Sequence, residues 1–144
     1  MADDGDSLAA PVRKMKILVI DDEPDTAESI RSALQELYDV SISTDPSKVL
    51  DEFRQTGKIG FDLVLVDYKM PHITGFTLYN GIKQIDADAK VCIMTAYEIF
   101  SSNTKKAKFE ALDPPLNEKC IMQKPFLKKD LIAKLHQILN DSNK

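Results

Sequence analysis

The sequence predicts a doubly wound α/β domain built on one parallel sheet. Short apolar runs alternate with amphipathic stretches along most of the chain. The runs are rich in Val, Ile and Leu, as strands buried on both faces are. Carboxylates stand where the first and third runs end, at Asp21-Asp22-Glu23 and at Asp67. With 144 residues the chain is long enough for one domain with a real core and too short for two comfortable ones.

The elements follow in order. Residues 16–20 read as the first strand, and 25–37 as a helix with Ala27, Ile30, Leu34 and Leu37 on one stripe. A weaker strand covers 40–43. Asp45-Pro46 then supplies an N-cap and a first-turn proline for a helix through Gln55, whose Val49, Leu50 and Phe53 face inward. Residues 61–66 form the third strand and 74–85 the next helix. Residues 91–94 and 120–122 give a fourth and a short fifth strand. The last helix covers 127–139, with Leu131, Leu135, Ile138 and Leu139 apolar. Strands alternating with helices pair in parallel through right-handed crossovers, with helices on both faces. Five βα units suit the flavodoxin-like order 2-1-3-4-5, in which ligands sit beyond the carboxyl ends of strands 1 and 3. The segment 99–119, with Lys105-Lys106 and Pro114-Pro115, has no clean helical stripe. A fourth helix is expected to start near Tyr97 and to break before the prolines.

Composition narrows the function. A formal charge of −4 argues against general nucleic-acid binding, which needs cations to neutralise phosphates. The charge is uneven: residues 104–144 hold nine Lys against five acids. A solvated mixed surface accounts for that split as readily as a docking surface does. No stretch has the length of a membrane span. The first fifteen residues lack the apolar core of a secretion signal and read as a flexible arm. Cys92 and Cys120 fall in apolar strand-like segments without metal-type spacing, which fits reduced core cysteines of a cytoplasmic protein.

Four sites converge on one edge of the predicted sheet. Asp21 and Asp22 follow strand 1, Asp67 follows strand 3, Thr95 follows strand 4 and Lys124 follows strand 5. Crowded carboxylates raise one another's pKa unless a cation offsets them, and Mg²⁺ suits such oxygen ligands. Each residue also has an ordinary reading. Asp21-Asp22-Glu23 match first-turn acids favoured by a helix dipole. Thr95-Ala96-Tyr97-Glu98 matches a capping box, and Lys124 a solvated lysine before a helix-opening proline. The ordinary readings give no reason for all four to share one sheet edge.

With these residues in place, the chain resembles the receiver domain of two-component response regulators, of the stand-alone, chemotaxis-type single-domain kind. The resemblance rests on Ile17 through Glu23, on Asp67-Tyr68-Lys69-Met70-Pro71 with Gly75, on Thr95-Ala96 and on Lys124-Pro125-Phe126. It covers residues 16–139 as the receiver domain, leaving 1–15 as the arm and 140–144 as a tail. It implies that Asp67 accepts a phosphoryl group from a histidine kinase or a histidine phosphotransfer protein. Asp22 would bind Mg²⁺ directly and Asp21 mainly through water, with Asp67 and the backbone carbonyl of Lys69 completing the protein ligands. Lys124 would pair with the phosphoryl group, before a Lys124-Pro125 bond expected to be cis, and Thr95 would follow the new charge. The protein would then switch the binding of a downstream protein or pass the phosphate along a relay. Beyond promoting its own phosphorylation and dephosphorylation at Asp67, it would not be a conventional enzyme.

Two features depart from the family pattern. Receivers usually carry an aromatic residue three positions before the lysine, where this chain has Ile121. The interval from Thr95 to Lys124 is also longer than usual. These departures leave open a degenerate receiver that binds a partner without phosphorylation. Lys69 and Tyr97 would flank the approach of a hydrolytic water and shield an acyl phosphate. An aspartyl-phosphate phosphatase would need a second acid where Lys69 stands, and a nucleotide binder would need a glycine-rich loop after strand 1.

Overall fold

The computed structural model describes residues 14–96, 120–124 and 127–140. The proposed arm before residue 14, Tyr97, the segment 99–119, the Lys124-Pro125 bond, Phe126 and the tail after Asn140 lie outside the described residues. Strands β1 (Lys16–Ile20), β2 (Asp39–Ser43), β3 (Leu63–Asp67), β4 (Val91–Ala96) and β5 (Ile121–Lys124) form one parallel sheet in the order β2-β1-β3-β4-β5. The described helices are α1 (Pro24–Leu34), α2 (Pro46–Thr56), α3 (Gly75–Ile85) and α4 (Lys128–Asn140). This is the flavodoxin-like arrangement expected from the alternation of elements.

Successive residues of the central strands point to opposite faces, which divides the core in two. Leu18, Ile20, Val64, Val66 and Ile93 face α2 and α3 and pack on Val49, Phe53, Leu78 and Ile82. Ile17, Val19, Leu63, Leu65 and Met94 face the other way, onto Ile30 and Leu34 of α1 and Leu131 and Leu135 of α4. All five residues of β3 are buried, so an uninterrupted apolar run delivers Asp67 to the sheet edge.

The helix starts are chemically explicit. Asp45 caps α2 by accepting from the backbone N–H of Lys48, Pro46 occupies the first turn, and Gly57 closes the helix at φ 75°. Thr74 caps α3 by accepting from the N–H of Thr77. A left-handed residue suits glycine because it has no Cβ to clash.

The boundaries differ from the sequence expectation in informative places. Helix α1 stops at Leu34, and Leu37 is 52% exposed rather than on the buried stripe. The chain turns there, with the N–H groups of Leu37 and Tyr38 both donating to Leu34 O, and Tyr38 enters the core instead. Strand β3 begins at Leu63 rather than at Phe61. Asp62 instead latches the sheet, donating its N–H to Lys16 O and accepting from Lys16 N–H at 2.7 Å. Phe61 meets Phe53 of α2 at a tilt, 6.5 Å between ring centroids. Strands β4 and β5 run two residues further than 94 and 122, so Thr95 and Lys124 lie within strands.

Candidate functional site

The carboxyl edge of the sheet gathers all four sequence-predicted positions. Asp67 is the last residue of β3 and is 7% exposed, while Asp21, just past β1, is fully buried. Lys124 ends β5 and crosses β4 to reach them. Its Nζ donates to Asp67 Oδ1 at 2.8 Å and to Asp21 Oδ2 at 3.3 Å. Asp21 Oδ1 accepts from the N–H of Glu23 at 3.0 Å, which orients the carboxylate across the first turn of α1. Asp22 is half-buried, and one oxygen from each of Asp21, Asp22 and Asp67 lies within 4.8 Å of the others.

Charge does not balance in this cluster. Three carboxylates face one lysine. Burial pushes the Asp67 carboxyl up, and the nearby Asp21 and Asp22 add to it, against the opposing hold of Lys124. Burial alone would lower Lys124, but the carboxylates of Asp67 and Asp21 outweigh it and raise the ammonium. Asp67 therefore holds its proton more tightly because it is buried, and Lys124 because the carboxylates around it leave a surplus of negative charge. A divalent cation would remove that surplus. Clustered carboxylate oxygens opening onto a cleft of about 530 Å³ fit a hard ion that keeps several of its waters. Lys69 lines the same cleft, so the residue named for its backbone carbonyl stands at the site.

Thr95 supplies the second unfinished valence. It lies in β4 opposite Gln123, is 1% exposed, and lines the cleft. Its Oγ1 is buried with no hydrogen-bond partner among the described residues. A buried hydroxyl left unpaired carries a desolvation cost of roughly 1–3 kcal/mol, which a ligand oxygen at this spot would relieve.

The loop after Asp67 is held close beneath the site. Tyr68 donates its N–H to Met94 O, and Gly75 returns its own N–H to Tyr68 O. A Cβ on Gly75 would lie 2.9 Å from Tyr68 Cα and 3.0 Å from Asp67 O, so only glycine allows this approach. Phe76 meets Tyr68 edge-on at 4.9 Å. His72 is the non-glycine residue at positive φ among those described, at 70°. With Ile73 N–H donating to Pro71 O across it, His72 forms a tight three-residue turn. Sequence reasoning counted Glu23 among the strand-end acids but gave its N–H, which positions Asp21, no role, and it did not single out His72. A histidine after proline carries no distinctive signal, and a backbone donor carries none at all.

Ile121 stands at the start of β5, opposite Ile93, and is buried in the α2–α3 side of the core. Thr95 pairs two positions further along, opposite Gln123. Ile121 is packing, well below the cleft.

Comparison with known proteins agrees with this geometry. The response regulator receiver domain model matches residues 17–136. The transcriptional regulatory protein TrcR of Mycobacterium tuberculosis is 25% identical over 130 residues, covering 90% of this chain and 47% of TrcR. This chain spans about half the length of the curated relatives it matches, 47%, 54% and 44% of three of them. A response regulator receiver domain protein from Clostridium thermocellum superposes with a TM-score of 0.71 at 26% identity, covering 89% of this chain and 96% of that one. The response regulator TrrA of Thermotoga maritima, solved in complex with Mg²⁺ and BeF, gives a TM-score of 0.68 at 28% identity, over 86% and 98% of the two chains. With its family model covering most of its length and its acids, threonine and lysine on one sheet edge, the chain belongs to the response regulator receiver domain family.

Proposed function

We propose that this receiver is a phosphoryl switch in a two-component pathway, with Asp67 as phosphoacceptor. The observation that carries the proposal is Lys124 seated on Asp67 at 2.8 Å inside a group of three carboxylates. A carboxylate oxygen of Asp67 attacks the phosphorus of a phosphohistidine on a histidine kinase or a histidine phosphotransfer protein. The P–O bond forms as the P–N bond breaks, and the imidazole leaves with the electron pair. Asp21, Asp22, Asp67 and the carbonyl of Lys69 are the residues that would hold Mg²⁺, which supplies charge neutralisation on the transferring group when bound. TrrA, solved with Mg²⁺ and BeF, supports that assignment by likeness.

Lys124 acts from the other side. Its ammonium moves from the carboxylate to a phosphoryl oxygen, so positive charge is already in place where negative charge develops. The new group brings a charge of about −1.5 to −2 and strong acceptor oxygens. The Thr95 hydroxyl, without a partner among the described residues, donates to one of them, which favours the conformation in which Thr95 closes on the phosphate. Activation is then a population shift set by contacts made only in that state. The output is binding of a downstream protein or transfer onward in a relay. We place the receiver in the cytoplasm as residues 16–139. Lys69, exposed at the rim of the cleft, narrows the approach of water to the acyl phosphate. A Lys69→Ala variant should lose phosphate faster than wild type, and an equal rate would remove Lys69 from the account.

The test is incubation with a small-molecule phosphodonor, with and without Mg²⁺, followed by intact mass over time. Wild type should gain one phosphoryl group only with Mg²⁺, and Asp67→Asn should gain none. Uptake by Asp67→Asn would overturn the site. Absence of uptake by wild type would leave a receiver that binds its partner without phosphorylation.

A further inference from the structure

The amino end of the sheet holds a second set of reactive groups that the phosphoryl switch does not use. Cys92 is the second residue of β4, and Cys120 immediately precedes β5. Extending the observed Ile93–Ile121 register by one residue places the two cysteines opposite each other. Neighbouring strands run about 4.8 Å apart, inside the Cα separation a disulfide spans. Both are free, and Cys120 packs against the core cluster that holds Cys92. Their environments differ. Cys92 is fully buried among Leu63, Met94 and Leu135, whereas Cys120 is only partly buried.

Three half-buried lysines from separate elements bring positive charge to bear on Cys120: Lys83 of α3, Lys134 of α4 and Lys90 before β4. The neighbouring Cys92 thiol and the three ammonium charges hold the Cys120 thiol below its usual range despite burial. Burial and the neighbouring Cys120 push the Cys92 thiol well up. A partly accessible sulfur in a positive environment is the setting of a reactive cysteine, whereas a sealed apolar one is inert until its neighbour is activated.

We propose that Cys120 and Cys92 form an oxidation-sensitive dithiol, with Cys120 as the sulfur that meets a small hydroperoxide and Cys92 as the one that resolves it. The Cys120 thiolate attacks the terminal peroxide oxygen; the S–O bond forms, the O–O bond breaks, and water or an alcohol leaves with the thiol proton. The Cys92 sulfur then attacks the resulting sulfenic acid, the S–S bond forms, and the hydroxyl leaves as a second water with the Cys92 proton. Two thiols are oxidised and one peroxide is reduced. The bond ties β4 to β5, the two strands that carry Thr95 and Lys124 at their far ends. This dithiol does not depend on phosphorylation of Asp67.

The experiment treats the full chain with hydrogen peroxide and maps it by mass spectrometry without reductant. Wild type should lose the mass of two hydrogens, yield a linked Cys92–Cys120 peptide, and recover both thiols with dithiothreitol. In Cys92→Ala, a dimedone adduct should appear on Cys120. In Cys120→Ala, Cys92 should stay reduced. Alkylation of reduced wild type should modify Cys120 at least about tenfold faster than Cys92. Circular dichroism checks that each variant folds, and the alkylation ratio and linked peptide in wild type decide the matter if one does not. Wild-type thiols that survive peroxide sufficient to oxidise a free cysteine peptide, links only between chains, or equal alkylation of the two cysteines would each overturn the proposal.

Discussion

At the carboxyl end of the sheet Lys124 donates to the carboxylates of Asp67 and Asp21, whereas at the amino end Lys83 and Lys90 donate to the backbone carbonyls of Ala89 and Ile138. The amino-end lysines satisfy acceptors left by a turn and by the last turn of α4, as cations near a helix C-terminus commonly do. Lys124 satisfies nothing that the fold itself creates. It answers charges that the sequence placed there, and it answers them incompletely, since three carboxylates share it and Thr95 Oγ1 has no partner among the described residues. The same five strands thus have one end where lysines complete the backbone and one end where acids and a buried hydroxyl are incompletely paired among the described residues.

The comparison yields predictions of decreasing size. Replacing Lys124 with Met should slow phosphoryl uptake by about 10²–10³-fold, the loss typical when one preorganised charge is removed from a transferring group. Lys90→Met should leave the uptake rate unchanged. Equal slowing in the two variants would erase the distinction between the sheet ends. Gly75→Ala forces a Cβ against the backbone of Tyr68 and Asp67, and urea unfolding should show a loss of roughly 1–3 kcal/mol. Lys90→Met should cost about 1 kcal/mol in the same measurement, the worth of an ordinary hydrogen bond. His72→Gly relaxes a residue at φ 70° and should stabilise by roughly 0.5–1 kcal/mol, read as a raised midpoint. A loss of stability in His72→Gly would mean that the imidazole makes a contact worth more than the backbone conformation costs.

The two ends were also unequally legible in the sequence. Strand β3 announced itself because Leu63, Val64, Leu65 and Val66 leave no polar position for a solvent face, and Asp67 then stands out as the charge that ends the run. Asp21, Asp22, Thr95 and Lys124 are each weak signals alone and were readable because all fall on one edge of the predicted sheet. Leu37 was misplaced because it continues the helical spacing of Ala27, Ile30 and Leu34, and periodicity alone does not reveal that the chain turns at Gln35 and buries Tyr38 instead. The strand ends were set by pairing partners that lie far along the chain, such as Asp62 on Lys16 and Lys124 opposite Ala96. The nearness of Cys92 to Cys120 was hidden for the same reason. Two apolar-segment cysteines look like core until the register sets them side by side.

The phosphoryl switch stands or falls on which carboxylate carries the phosphoryl group. Brief treatment of the phosphodonor-loaded chain with borohydride, which reduces an acyl phosphate to the alcohol, followed by peptide sequencing, locates it. Reduction at position 67, with Asp21 and Asp22 intact, is the predicted result. Reduction at Asp21 or Asp22 with Asp67 untouched would contradict it.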